Sequence, residues 1–215
     1  MIMPFNRIFS LLFLPALSVA WSCSAQGQKA QETEATAEIA LETAGAIKKY
    51  QVIVQERQAF ADANPNNPDA YLDLSRAYKT VGRYTDAEAQ ARRAVEIGGS
   101  SEAFAVVGEL LYLQGKYGDA ETHLKQATGP INGLPAAYLY LGRLYRDTGR
   151  KTEAEAQFEH IVQLFRQGRV HGAEGAAATA LASKYLERFH DANHLFMEAT
   201  RLPGNQLDAY VAWGN

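Results

Sequence analysis

Small and apolar residues recur along this chain on two nested periods. Within short segments they stand three and four residues apart, the spacing of one helical face. The segments themselves return about every 34 residues. The small residue of each first helix is Ser75, Gly108, Gly142, Ala180 and Gly214, at steps of 33, 34, 38 and 34. An alanine of each second helix, Ala87, Ala120, Ala154 and Ala192, steps by 33, 34 and 38. Two independent markers thus drift together through the same four-residue insertion, which chance alanine richness does not produce. A period of this length belongs to a helix–turn–helix unit that cannot bury its apolar face alone and stacks on its neighbours. The pattern predicts an all-α solenoid, a right-handed superhelix of four hairpins with an unfinished fifth.

Residues 46–63 predict a capping helix, with Ile47, Tyr50, Ile53 or Val54, and Phe60 near one face. Asn64-Pro65-Asn66-Asn67-Pro68 ends it, because two prolines interrupt the backbone. The hairpins span residues 68–99, 101–128, 135–165 and, in degenerate form, 173–202; residues 207–215 open a fifth. Pro68 suits a first helical turn, where its missing N–H has no partner to lose. Gly82, Gly115 and Gly149 are placed to end first helices in the left-handed conformation. Thr85 with Glu88, and Thr152 with Glu155, have the spacing of a capping box opening a second helix. In the fourth unit Gly168, Gly172 and Gly175 account for the longer period, and the aromatic that opens the other first helices is missing. Asp208, Ala209 and Tyr210 repeat Asp69, Ala70 and Tyr71, so the pattern expects the array to continue past Asn215.

The first residues follow another logic. Arg7 is the only charged side chain before Lys29, Ile8 to Ala20 is mainly apolar, and small residues follow. This predicts a secretory signal peptide over residues 1–25, cleaved after Ala25 or Ala20, and too short for a comfortable membrane span. Residues 26–45, rich in Ala, Thr, Glu and Gln, read as a polar tether. Export would place the chain in the periplasm or cell envelope. An uncleaved signal or an acylated Cys23 would be its routes to a membrane. Trp21 departs from the small residue a lipobox wants at that place. Cys23 is the single cysteine, so helix packing alone must hold the fold. The chain is 47% apolar and 21% charged with a net charge of −3, a globular balance. Its basic residues are dispersed, without the clustered basic face that nucleic acid needs.

Candidate chemistry is sparse. His190 and His194 stand four apart, a zinc-ligand spacing, but no cysteine or third ligand is near. Phe189, Ala192 and Phe196 read as the buried stripe of that helix, which leaves both histidines outward; no metal is expected. His123, His160 and His171 are isolated. Carboxylate pairs such as Glu153/Glu155 and Asp119/Glu121 fall at second-helix starts, where negative charge suits the helix dipole. The glycines close helices and do not cradle phosphate, and no serine has triad partners. No catalytic residue and no cofactor is expected. What remains is the face of each first helix turned away from the packing: Asp69, Leu72, Arg76 and Lys79; Ala105, Glu109 and Tyr112; Leu139, Arg143 and Arg146; Leu181, Lys184 and Tyr185. Arg76, Lys79, Glu109, Tyr112, Arg143, Arg146, Lys184 and Tyr185 are the candidate partner-binding residues of this concave face. Recurrent cations suit carboxylates, so the expected partner is a protein or extended peptide, an acidic one in particular.

Tyr71/Leu74/Ser75/Tyr78/Gly82/Tyr84/Ala87/Ala94 resembles the signature of the tetratricopeptide repeat. Phe104/Val107/Gly108/Gly115/Tyr117/Ala120/Ala127 and Tyr138/Leu141/Gly142/Tyr145/Gly149/Ala154/Phe158 resemble it in turn, and Ala192 and Phe196 keep it in the fourth unit. The departures are Ser75 for glycine, Ala91 where a large residue usually packs, and the aromatic missing from unit four. The resemblance implies a scaffold for proteins or peptides. The Lys/Asn arrangement of the chaperone-tail carboxylate clamp is not reproduced. RFHDANHLFMEATRLPGNQLDAYVAWGN is also similar to the repeat region of exported bacterial proteins that continue into a metallopeptidase domain of the peptidase MA type. That resemblance would put a catalytic domain beyond Asn215, since this chain has no H-E-x-x-H. The expected function is an exported bacterial, non-catalytic scaffold. The alternatives are the N-terminal repeat portion of a secreted metallopeptidase, or an envelope lipoprotein assembly factor.

Overall fold

The computed structural model describes residues 48–128 and 134–202. Backbone contacts divide the chain after Gln51; of the first unit only residues 48–51 are described, as one turn of helix. Helix α1 covers residues 48–63. It is followed by α2 (Pro68–Thr80), α3 (Tyr84–Gly98), α4 (Ser101–Leu113), α5 (Tyr117–Ala127), α6 (Pro135–Asp147), α7 (Lys151–Arg166), α8 (Gly172–Tyr185) and α9 (Phe189–Arg201). No strand occurs among the described residues, and none of their helices is long and apolar enough to cross a membrane. The signal peptide, the tether, Cys23 and the opening of a fifth hairpin lie outside the described residues.

Each first helix begins at a defined stop. Asn67 accepts from the Asp69 N–H at 3.0 Å before α2, and Ser100 from the Ala103 N–H at 3.1 Å before α4, so each satisfies a donor that a helix start leaves over. Proline opens α2 and α6. The turn inside each hairpin is the same. Gly82, Gly115 and Gly149 take φ of +74°, +74° and +81°. The next residue's N–H then reaches back along the helix: Arg83 to the Tyr78 carbonyl at 3.0 Å, Lys116 to Leu111 at 2.9 Å, Arg150 to Tyr145 at 2.7 Å. This is the Schellman closure, and it leaves no spare residue before the second helix. α3 therefore starts at Tyr84 and α7 at Lys151, with Arg83 and Arg150 as N-caps that make no side-chain cap bond. The capping boxes expected at Thr85 and Thr152 do not form; both threonines already lie inside the first turn.

In the fourth unit Glu187 stands where the other turns have glycine, at φ +60°. A side chain in this region strains the backbone by about 1–2 kcal/mol. Glu187→Gly is expected to stabilise the protein by about 0.5–1 kcal/mol, the relief less glycine's own entropic cost. Thermal unfolding reads this as a higher Tm, and a lower Tm would contradict it.

Packing follows from the repeat. α2 pairs with α3, α4 with α5, α6 with α7 and α8 with α9, and each second helix also packs on the next first helix. The first helices touch one another in turn, α2 to α4 to α6 to α8, whereas consecutive second helices do not. The first helices thus form the inner, concave layer. Residues 52–63 of α1 close the front: Val54 and the fully buried Ala61 pack on Ala70 and Leu74. Tyr50 and Phe60, expected on the buried face, are instead exposed, because the contact runs through the smaller residues. Phe189 is likewise 59% exposed; as the first residue of α9 it precedes the turn that contacts α8.

Inside a hairpin, large and small side chains answer one another. A Cβ added at Gly108 would stand 2.6 Å from Leu124 Cγ, and one at Gly142 would stand 2.5 Å from Phe158 Cε1. The close approach is therefore to Leu124 and Phe158, one turn beyond Ala120 and Ala154. In the first hairpin Ala91 replaces the large residue, and the room it frees is used by Ser75, whose buried hydroxyl donates to the Ala87 carbonyl at 2.8 Å. The two departures from the repeat pattern are one compensated change.

A ladder of ion pairs runs from the turn before each later second helix back to the preceding second helix. Lys116 meets Glu88 at 3.0 Å, Arg150 meets Glu121 at 2.7 Å, and Arg188 meets Glu159 at 2.8 Å. Hydrogen bonds from Arg150, then Lys125, pull the Glu121 carboxyl down from 4.5 to about 2. Burial pushes the Glu88 carboxyl up, but hydrogen bonds from Arg92, Gln114 and Lys116 outweigh it and hold it below its ordinary value. A carboxylate with a lowered folded-state pKa adds stability above its unfolded value and loses it as pH falls. The Tm is expected to decline as pH drops from 4.5 towards about 2. Glu121→Gln should flatten that decline, which a Tm series across this window checks.

Candidate functional site

The four first helices present one stripe to the groove. Its lowest positions, Leu72, Ala105 and Leu139, were expected to face outward but are buried. The first helices touch along the array, so side chains pointing towards the neighbouring unit are covered. Above them lies a connected set of charges and rings. Arg76 pairs with Asp73 on its own helix and with Glu102 on α4. Lys79 meets Glu109 at 2.7 Å, and Glu109 also accepts the Tyr140 hydroxyl at 2.6 Å. The Tyr112 hydroxyl donates to Asp147 at 2.6 Å, and Asp147 also meets Arg146 at 3.1 Å. The Arg146 guanidinium lies 4.5 Å above the Tyr185 ring, which stacks on Phe158 at 4.7 Å. Contacts thus run without a gap from α2 through α4 and α6 to α8.

Arg143 sits at the centre. Its guanidinium lies 5.1 Å from the Tyr112 ring and 5.2 Å from the Tyr140 ring, and these two rings meet edge to face at 5.7 Å. Cation–π attraction holds it there, but its buried Nε has no hydrogen-bond acceptor. Burial works against the Arg143 charge, and the surrounding Tyr185, Tyr112 and Tyr140 outweigh it. Burial, then Glu109, pushes the Tyr140 hydroxyl far above its ordinary value. Burial and the bond to Asp147 raise Tyr112 as well. Both phenols therefore stay protonated and act as donors. Tyr112 was expected at the surface; only 9% of it is exposed, beneath Arg143.

The groove is accordingly not a bare cationic stripe. Arg76, Lys79 and Arg146 are each neutralised by a carboxylate. Among the described residues Arg143 and Lys184 make no ion pair. His190 and His194 are exposed on α9, and no cluster of three or more metal-ligating groups occurs among the described residues. His160 packs at 4.5 Å from the Tyr138 ring and His123 at 6.3 Å from Phe104, so both serve the packing between the two helices of a hairpin.

Two family models of the tetratricopeptide repeat match, one over residues 111–184 and one over 55–102 and 72–135. Together they span more than half of the chain. It belongs to the tetratricopeptide repeat family. Among solved structures, a thermophilic TPR protein from Thermus thermophilus is 21% identical, with a TM-score of 0.57 over 79% of this chain and 91% of that one. Cut9–Hcn1, a hetero-tetramer of the APC/C, is 14% identical, with a TM-score of 0.55 over 77% of this chain and 32% of that one. A TPR protein with an unusual peptide-binding site, YrrB, is 17% identical, with a TM-score of 0.45 over 80% and 87%. At these identities the first two likenesses concern the fold alone. No curated protein matches the chain in sequence.

In this TPR protein three groove residues were missed by sequence reasoning: Glu102, Tyr140 and Asp147. Tyr140 and Asp147 stand three before and four after Arg143, the spacing of one helical face. The signal was present, but the stripe expected on this helix held only Leu139, Arg143 and Arg146. The carboxylates that neutralise those cations come partly from the neighbouring helix, as Glu102 does, and that pairing is tertiary.

Proposed function

We propose that this protein is an exported, non-catalytic scaffold that binds an acidic, extended segment of a partner protein along its concave face. TPR repeats support a protein-interaction scaffold, and the observation that carries the finer reading is Arg143. A guanidinium held over two rings, and paired with no carboxylate among the described residues, keeps its charge and planar fork for a carboxylate of the ligand. Lys184 adds a second cation without a partner among the described residues. Export rests on the apolar stretch behind Arg7 and the small residues that follow it. Its test is the intact mass of the mature N-terminus, which also reports whether Cys23 is acylated. The similarity of the segment from Arg188 onward to peptidase MA repeat regions supports a second reading, the recognition arm of a longer exported peptidase. The reading frame beyond codon 215 decides between them.

The binding reading is tested by selecting a random peptide library on the immobilised protein. Ligands rich in Asp and Glu are expected, whose binding falls as salt rises because the pairing is partly solvent-exposed. Neutral or basic winners would contradict it.

A further inference from the structure

A cavity of about 300 Å³ opens between α7 and α9, with α8 as its floor. Its origin can be traced residue by residue. At the corresponding places the other first helices carry Leu74 and Tyr78, Val107 and Leu111, and Leu141 and Tyr145; α8 carries Thr179 and Ser183. Tyr78 and Tyr145 show what is missing. The Tyr145 hydroxyl meets Glu121 on the preceding second helix at 3.2 Å, and the Tyr78 hydroxyl meets Gln58 on α1 at 3.1 Å. Each ring also carries the cation of the following turn, Arg150 at 4.1 Å and Arg83 at 4.6 Å. In the fourth unit the ring is absent and its space is open.

Val162, Phe165 and Leu195 form apolar walls. Ser183 is only 2% exposed, and its hydroxyl makes no hydrogen bond among the described residues. The rim is polar: Arg166, His190 and His194, with one carboxylate, Asp191, which lies 3.7 Å from His190 Nδ1. Arg166 makes no ion pair among the described residues. We infer that this cavity binds an aromatic carboxylate, whose ring takes the place of the missing tyrosine and whose acid group meets Arg166 at the rim. The ring gains apolar burial against Val162, Phe165 and Leu195; the acid gains a charge-assisted bond. The volume lies at the small end of ligand sites and suits a single ring with a short acid arm.

The chemistry has two sources, a free aromatic acid or a polypeptide ending in an aromatic residue. The test is an NMR titration of the full chain with N-acetyl-L-phenylalanine, its uncharged amide, and a hexapeptide ending in phenylalanine. The acid is expected to give saturable shifts around Ser183 and His194 with a Kd of about 1 mM or tighter, the scale for so few ligand atoms. The amide and the exposed-site variant Arg166→Glu should each weaken binding about tenfold. Ser183→Tyr should abolish binding and raise the Tm, since it restores the ring that the first and third units have. A hexapeptide tighter than the free acid upholds the site and names a polypeptide source; equal or weaker binding upholds it with a free acid. The absence of saturation by the acid, or equal affinity of acid and amide, would overturn the inference.

Discussion

Gly142→Ala is expected to destabilise the protein by about 1–3 kcal/mol, the cost of overpacking a filled interior, although the same change in an open helix gains about 1 kcal/mol. The added Cβ would lie 2.5 Å from Phe158 Cε1 and 2.9 Å from both Cδ1 and Cζ. The ring has nowhere to go. Phe158 is 2% exposed, and its other side is stacked on Tyr185 of α8. Moving it disturbs the contact between the third and fourth units as well as the hairpin itself. Gly118, which has nothing within 4 Å of an added Cβ, is the control: Gly118→Ala should be neutral or stabilising. Gly142→Ala combined with Phe158→Leu should recover part of the loss. The urea midpoint followed by helical circular dichroism reads all three. If Gly142→Ala stabilised as Gly118→Ala does, the helices would not be as close as the repeat requires.

Arg143→Glu with Arg146→Glu is expected to weaken an acidic peptide selected on the wild type by more than tenfold, about 1.4 kcal/mol, with the helical spectrum retained. Most of the effect should belong to Arg143. Arg146 already shares Asp147 and lies on the Tyr185 ring, so reversing it alone mainly sets two carboxylates side by side. Of the two arginines, Arg143 is the one without a carboxylate among the described residues, and reversing it turns an attraction into a repulsion at the centre of the groove. Arg143→Lys should fall between the two, because an ammonium keeps the charge but loses the planar fork and the stacking on Tyr112 and Tyr140. Lys79→Glu should cost stability more than affinity, since it places two carboxylates where Lys79 and Glu109 now pair at 2.7 Å. Isothermal titration of the variants separates these cases.

The repeat itself was legible because it is local. Gly82, Gly115 and Gly149 end helices by a backbone rule that any sequence must obey, and their spacing alone gives the period. The size exchange between Ser75 and Ala91 was visible only as two exceptions, because it takes the distance between helices to show that one explains the other. Thr85 and Thr152 misled for a related reason. The capping box is a sequence pattern, but the Schellman turn before it had already used the residues that would have made room. The groove cations were found by helical spacing, whereas their neutralisation by Glu102, Glu109 and Asp147 comes partly from adjacent units and has no one-dimensional signature. The open space beside Ser183 was legible in principle, from aligning that serine with Tyr78 and Tyr145.

The most direct measurement is hydrogen-exchange protection on binding an acidic peptide selected on this protein. A ligand in the groove should protect α4, α6 and α8, centred on Tyr112, Arg143 and Tyr185, and leave the outer surfaces of α3, α5 and α7 unchanged. Protection confined to the second helices would place binding on the other side of the array and contradict the concave-face account.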